Sequence, residues 1–281
     1  MPFVNKVKML LDRRGLRSAL VPVVSRLARA QGRGVKKIFH DDGVWMHETS
    51  GGYFAYHQPY IRLDLSQMDQ AAKAHFFWGY KPQPGDVVMD VGAGVGEETL
   101  TFSRAVGPRG KVICVEAHPR TYRCLQKLIQ YNRLENVIAL HQAATEPSCA
   151  RVTIEDSEEY LGNRSNTSSG IFVPAATVDA IHQKLNLGRI DFLKMNIEGA
   201  ERLAIRGMAE TLRQTAVLCV SCHDFWAEST GDQDLRTKAT IQQSLRQSGF
   251  NVVARSEPGL PPYVRDQVWA YNEAILRSAA S

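Results

Sequence analysis

Long apolar runs are missing from this chain. No window approaches the roughly 18 consecutive apolar residues that a membrane-spanning helix needs, so none is expected. Acidic residues are almost missing from the first 37 positions. There Asp12 stands alone against ten basic side chains: Lys6, Lys8, Arg13, Arg14, Arg17, Arg26, Arg29, Arg33, Lys36 and Lys37. That segment carries +9, so the rest of a chain whose total is +5 sums to −4. Cysteines are few and odd in number, five without a framework spacing, which argues against a disulfide-stapled fold and for reduced thiols in a cytosol. An uninterrupted apolar leader is also lacking, because Lys6, Lys8 and Asp12 bracket only Met9–Leu11. No internal repeat is visible. What remains is ordinary for a globular protein: 44% hydrophobic and 22% charged residues over 281 positions, enough for one large domain or two small ones.

One cysteine pattern invites a metal reading. Cys219-Val-Ser-Cys222-His223 has the C-x-x-C-H spacing of covalent haem attachment. The run Ala216–Val220 reads as a buried strand, and residues i and i+3 of a strand point to opposite faces. Cys219 and Cys222 then do not meet for a disulfide, a zinc ion or a haem, and no second C-x-x-C completes a zinc site. No metal site is expected.

The basic N-terminal segment puts Leu16, Leu20, Val23, Val24 and Leu27 on one helical face, with an interruption near Pro22. It reads as an amphipathic helical arm that lies on an anionic membrane surface, grips an acidic partner, or packs its apolar face on its own domain. Antiparallel strands are expected over Gly43–His47 and Tyr53–His57 around a Ser50-Gly51-Gly52 turn, and again over Tyr60–Leu65. A helix is expected over Gln67–Tyr80, stopped by Lys81-Pro82-Gln83-Pro84-Gly85.

Strands then alternate with helices, the pattern of an α/β fold on a parallel sheet. Strands are expected over Lys111–Val115, Asn136–His141, Asp191–Met195, Ala216–Val220, Asn251–Arg255 and Gln267–Tyr271. Helices are expected over Pro119–Arg133, Asp179–Leu187, Ala200–Gln214 and Gln233–Gly249. Arg151–Ile154 and Phe172–Val178 read as an antiparallel insert around Glu155–Gly170, whose polar tip holds two N-x-[ST] sequons at Asn163 and Asn166.

The chain is organised around Val87–Gly96, Val-Val-Met-Asp-Val-Gly-Ala-Gly-Val-Gly. A short apolar run buried on both faces, a glycine turn and a helix over Glu97–Val106 place a cofactor at the carboxyl end of the strand. A dinucleotide fingerprint needs its third glycine at position 97, where this chain has Glu97, and a carboxylate beside a pyrophosphate costs Coulomb energy. Asp90 suits a ligand with a cationic amine, and S-adenosylmethionine has an amine, a sulfonium and no phosphate. The spacing resembles motif I of the Rossmann-like class I methyltransferases. Glu116, 20 residues beyond Gly96 at the next strand end, is placed to take both ribose hydroxyls. Ala117, Gln142 and Ala143 flank the expected position of an adenine.

The run Asp191-Phe-Leu-Lys194-Met-Asn196-Ile-Glu198-Gly-Ala-Glu201 resembles the D-x-x-K-x-D-x-E-G-x-E signature of the FkbM family of methyltransferases. Thr177-Val-Asp179 is similar to that family's T-x-D element, Asp90–Gly96 to its D-x-G-A-x-x-G, and His223 to a recurrent position. The resemblance spans about residues 85–225. It implies a Rossmann-like class I methyltransferase sheet, to which the reading of residues 1–84 adds a small N-terminal helical and antiparallel-strand extension. It also implies O-methylation of a sugar or polyketide hydroxyl with S-adenosylmethionine as cofactor. The middle acid of the signature is Asn196 here, which keeps hydrogen-bonding shape and loses the charge, so no metal and no proton transfer is placed on it.

The cofactor set is therefore Asp90, Gly92, Ala93, Gly94, Gly96, Glu116, Ala117, Gln142, Ala143 and Asn196. The catalytic candidates are His223 and Glu198, with Asp224 and Lys194 also near the strand tips. Three parts are expected: a basic amphipathic arm over 1–37, a β-hairpin and helix region over 38–84, and an S-adenosylmethionine-binding methyltransferase domain over 85–281. The expected partners are a small-molecule or glycan hydroxyl acceptor and, through residues 1–37, an anionic membrane surface. No nucleic acid is expected. The expected location is cytoplasmic, peripheral to the inner face of the membrane. Two other readings stand beside this one: a nicotinamide oxidoreductase, opposed by Glu97, and a non-catalytic S-adenosylmethionine-binding protein recruited by its arm, which Asn196 keeps open.

Overall fold

The structure, a computed structural model, describes residues 14–32, 34–60, 65–156, 170–255 and 257–278. Its frame is a seven-stranded sheet in the order β12-β13-β11-β10-β4-β5-β6. The strands are β4 (Val87–Val91), β5 (Lys111–Glu116), β6 (Val137–His141), β10 (Ile190–Met195), β11 (Thr215–Ser221), β12 (Asn251–Ala254) and β13 (Gln267–Tyr271). β13 runs antiparallel to both of its neighbours, and the remaining pairings are parallel. From β4 the chain builds outward through β5 and β6, then crosses back to β10 on the other side of β4. The strand order thus reverses between β4 and β10, the point at which an open α/β sheet holds its ligand.

The apolar runs seen in the sequence are the strands buried on both faces. Met89, Val91, Ile113, Val115, Leu193 and Leu218 pack against one helical layer, Val178–Lys184, Glu201–Arg206 and Lys238–Gln247. Val88, Val112, Phe192 and Val217 pack against the other, which includes Phe102 and Val106 of the helix Glu97–Val106 and Leu125 of the helix Pro119–Asn132. Cys219 lies with this second layer and Cys222 with the first, so the two sulfurs face opposite sides of the sheet.

Asp90 corrects an expectation. Alternation along β4 turns its side chain toward the second layer, away from the cleft, where Lys194 is its register partner on β10. Lys194 Nζ lies 2.8 Å from Asp90 Oδ1, donates to Gly92 O at 3.0 Å and sits 5.2 Å from the centre of the Phe76 ring. Both side chains are buried. Burial pushes the Asp90 carboxyl up to about 6, with Lys194 working against that shift. Gly92 completes the junction. Its φ is +82°, and a Cβ there would stand 1.9 Å from the carbonyl oxygen of Asn196, so only glycine lets the β4 loop lie against the end of β10.

Ahead of the sheet, the helix Arg14–Ala30 packs on a three-stranded antiparallel sheet, β1 (Val35–Asp41), β2 (Val44–Thr49) and β3 (Gly52–Tyr56). That sheet covers Leu100 and Leu128 of the helices flanking β5. β1 begins inside the segment read as an arm, because Val35 and Ile38 pair with β2 and are buried. No strand forms at Tyr60. Residues 61–64 lie outside the described set, and Leu65 already begins the helix Leu65–Phe76. The sequons and most of the insert tip also lie outside it. The insert itself is β8 (Arg151–Ile154) paired antiparallel to β9 (Ile171–Ala176), which in turn pairs with β7 (Ala143–Ala144).

Two expected helices are divided. Ala200–Gln214 breaks at Gly207, whose carbonyl takes the Asp179 N–H and whose backbone lies against Thr145. Gln233–Gly249 resolves into a 3₁₀ turn, Gln233–Leu235, and a helix starting at Lys238, where Asp224 accepts from the N–H groups of Thr237 and Lys238. Asp224 is thereby a helix cap rather than a candidate base. The helices Asp224–Thr230 and Glu273–Ser278 have no counterpart in the sequence reading.

Removing one partner of a buried pair leaves an uncompensated charge, which costs about 3–5 kcal/mol, while replacing both costs far less. Lys194→Met is expected to lower unfolding free energy by that amount in urea titrations, and Asp90→Asn/Lys194→Met to recover part of it. A Lys194→Met protein within about 1 kcal/mol of the parent would show that the pair does not hold the junction.

Candidate active site

The carboxyl ends of β4, β5, β6 and β10 enclose a cleft of about 870 Å³, its open mouth included. Gly92 and Gly94 form one wall, Glu116, Ala117 and His118 follow β5, and Gln142 and Ala143 follow β6. Val152 and Ile154 of β8 cover one side, and Asn196 and Glu198 come from the loop after β10. Nothing lies within 4 Å of the place a Cβ would take at Gly94, so the loop is open toward a ligand there.

Glu116 is buried and ordered by backbone. Its Oε2 accepts from the Gly94 N–H at 2.9 Å and its Oε1 from the His118 N–H at 2.8 Å. Burial pushes its pKa up to about 7, against those two hydrogen bonds. Each oxygen keeps a lone pair for a ligand donor.

Of the cofactor candidates, Gly92, Gly94, Glu116, Ala117, Gln142, Ala143 and Asn196 all border this cleft. Ala93 is buried in the turn, and Gly96 lets the helix Glu97–Val106 pack on Leu125. Both shape the loop from outside the cleft lining, and Asp90 lies beneath it. Glu97, the residue that departs from the dinucleotide fingerprint, accepts from the Tyr56 hydroxyl at 2.8 Å. The sequence reading missed His118, Thr121, Thr145, Val152 and Ile154 as lining residues. Val152 and Ile154 were open to it, since strict alternation in Arg151–Ile154 marks one apolar face.

His223 requires the second correction. The sequence makes it a catalytic candidate as a general base. It is buried, and both of its ring nitrogens face carboxylates: Nδ1 to Glu201 Oε1 at 2.9 Å and Nε2 to Glu198 Oε2 at 3.3 Å. Burial works against the imidazolium, but Glu201, its hydrogen bond and Glu198 outweigh it and raise the pKa to about 9. At neutral pH His223 is therefore a cation with no lone pair to offer. Glu201 is fully buried and also accepts from the Gly199 N–H at 3.1 Å. Burial would raise its carboxyl, but the His223 charge outweighs that and holds it below its usual value. Glu198 borders the cleft at φ +53°, a left-handed conformation that non-glycine residues adopt rarely and that marks stored strain.

A carboxylate at the end of β5, over a glycine turn and a helix N-terminus, defines a nucleoside-binding site of the class I methyltransferase type, and the sheet order agrees. The chain belongs to the FkbM methyltransferase family: the model of the methyltransferase FkbM domain matches residues 90–251. No curated protein matches the chain. Among solved structures it is similar to the FkbM methyltransferase of Methylobacillus flagellatus KT, with 14% identity over 75% of this chain and 51% of that one and a TM-score of 0.49. It is also similar to Aeropyrum pernix fibrillarin with natively bound S-adenosyl-L-methionine, with 16% identity over 84% and 98% of the two chains and a TM-score of 0.44. A third is a SAM-dependent methyltransferase from Aquifex aeolicus, with 15% identity over 75% and 98% and a TM-score of 0.42.

The family's cofactor is S-adenosylmethionine, and the cleft has what that molecule requires. Glu116 suits the ribose hydroxyls. Ala117, Ala143, Val152 and Ile154 make a slot of small and apolar side chains for a flat ring. Gln142 Oε1 is buried without a hydrogen-bond partner among the described residues, which fits an acceptor for the adenine amine. The Gly92–Gly94 turn and Asn196 border the remaining end, where the methionine portion belongs.

Below about pH 7 the free Glu116 carboxyl is protonated and must lose that proton to accept two ribose hydroxyls. Affinity for S-adenosylhomocysteine is expected to fall by up to about tenfold per pH unit below 7, and Glu116→Gln to flatten the dependence and weaken binding by about 2 kcal/mol. Calorimetry across pH with both proteins checks this. An identical pH profile in the two would remove Glu116 from the ribose site.

The raised pKa of His223 also has a sign. Its contribution to stability is complete below the ordinary value of 6.5 and is lost as pH rises through about 9. The melting temperature is expected to fall over that alkaline window, and His223→Gln to remove that part of the fall. Parallel melting curves for the two proteins from neutral to alkaline pH would show that His223 is uncharged in the fold.

Proposed function

We propose that this methyltransferase methylates a hydroxyl oxygen of a sugar or polyketide and that Glu198 receives the hydroxyl proton. The observation that carries the reading is the Glu198 carboxylate at the cleft, in a strained backbone conformation and 3.3 Å from the His223 ring. When bound, S-adenosylmethionine supplies an electrophilic methyl group on a sulfonium sulfur. Glu198 orients the acceptor O–H and takes its proton as the new carbon–oxygen bond forms. His223 holds Glu198 in place, and Glu201 fixes His223 from behind. The glycine turn and the apolar slot align the donor end and keep water from the reacting atoms. The hydroxyl class rests on the family resemblance. A cytoplasmic location is supported by the five free thiols, four of them buried, and no helix among the described residues is long and apolar enough to cross a membrane.

The test uses donor labelled in the methyl group and panels of saccharides, polyketides, amines and carboxylic acids. Label is expected in products that survive alkaline hydrolysis, as ethers do and methyl esters do not. Glu198→Gln is expected to lower turnover by about 100- to 10,000-fold with S-adenosylmethionine affinity unchanged. Label confined to amines or alkali-labile esters would overturn the hydroxyl assignment. A Glu198→Gln enzyme at the parent rate would overturn the role of Glu198. Donor binding without transfer to any class would favour the non-catalytic reading.

A further inference from the structure

The helix Arg14–Ala30 carries a broad apolar face, and the protein buries one part of it. Val24 and Ala28 are buried against the antiparallel sheet, and Ser25 Oγ accepts from the Ile38 N–H at 3.1 Å, which fixes the helix to β1. Val23 and Leu27, one turn apart, lie on the flank of that buried face and are 52% and 51% exposed. The sequence reading placed Val23, Val24 and Leu27 on a single face; docking on the sheet separates them. Arg26 and Arg29 are exposed on the same helix, and Lys36 is exposed on β1. No acidic residue occurs between Arg13 and His40, and Glu48 is the acid opposite Lys37 across the strand pair.

We propose that this exposed flank docks the protein on an anionic lipid surface, with Val23 and Leu27 entering the headgroup boundary and Arg26, Arg29 and Lys36 facing lipid phosphates. Charge selects the occupant. A second copy would bring one +9 segment against another, which repels. Single-stranded nucleic acid is met by aromatic side chains on which bases stack, and the outer face of this helix has none. Aliphatic side chains one turn apart beside arginines are the pattern of a helix lying in a membrane interface. Because the inner face is already anchored to the sheet, the helix needs no detachment to present the outer one. The proposal is independent of the acceptor and of the catalytic roles.

Cosedimentation of the full chain with vesicles of phosphatidylglycerol and phosphatidylcholine, and with phosphatidylcholine alone, tests it. Binding is expected to the anionic vesicles and to weaken as salt is raised. Val23→Ser/Leu27→Ser is expected to lower partitioning about tenfold, and Arg26→Gln/Arg29→Gln about 30-fold. All four side chains are exposed, so both variants are expected to keep the parent melting temperature and S-adenosylhomocysteine affinity. Equal partitioning of parent and variants would overturn the proposal, as would no preference for anionic vesicles. So would a dimer in sedimentation that Val23→Ser/Leu27→Ser dissociates, or binding to duplex RNA or DNA that persists where vesicle binding is absent.

Discussion

The buried ammonium of Lys194 holds the switch point of the sheet together. It neutralises Asp90 across the β4–β10 pair and ties the carbonyl of Gly92 to the same strand. The glycine turn can then lie against the Asn196 carbonyl, a contact that only glycine permits. Everything on the cleft side follows from that junction: Gly94 reaches Glu116, and Asn196 and Glu198 leave β10 above the turn. An ion pair buried this deeply is a poor source of stability compared with apolar packing. Its value here is geometric, because it fixes two chain segments at the one place where the sheet changes direction.

The family signature divides along the same line. Asp191 accepts the Val87 N–H at the opposite end of the strands, Lys194 pairs beneath the turn, and Glu201 backs His223. Thr177 caps the helix Val178–Lys184, accepting from the Ala180 N–H, and Asp179 accepts from the Glu210 and Thr211 N–H groups at the start of the helix Ala209–Arg213. Of the polar residues in Asp191–Glu201, Asn196 and Glu198 border the cleft, beside Ile197 and Ala200. Most polar residues in that motif build the site, and two of them face it.

That division explains what was legible in the sequence. Short continuous apolar runs and a glycine turn are local, so the strands of the sheet and the cleft residues Gly92, Gly94 and Glu116 could be read directly. The facing of Asp90 needed its register with Lys194, a contact across 104 positions. The protonation of His223 needed Glu201 and Glu198 placed around it, and strand geometry alone gives a free histidine tip. The helix breaks at Gly207 and before Lys238 depend on Thr145 and Asp224, partners distant in sequence. Local propensity has no access to such contacts.

Charge links the built scaffold to the chemistry proposed for it. His223, its pKa raised to about 9, lies between the Glu201 and Glu198 carboxylates, and Glu198 borders the cleft. The proposed transfer starts with a sulfonium and a carboxylate and ends with a neutral thioether and a protonated Glu198. A reaction that removes a pair of opposite charges is favoured as water is excluded, because separated charges are poorly stabilised at low dielectric. A neutral histidine in place of the clamped cation would leave two carboxylates facing each other across the ring with no compensating charge. In the proposed reaction the imidazolium therefore acts indirectly: it lies between Glu198 and the buried Glu201 and compensates their facing carboxylates.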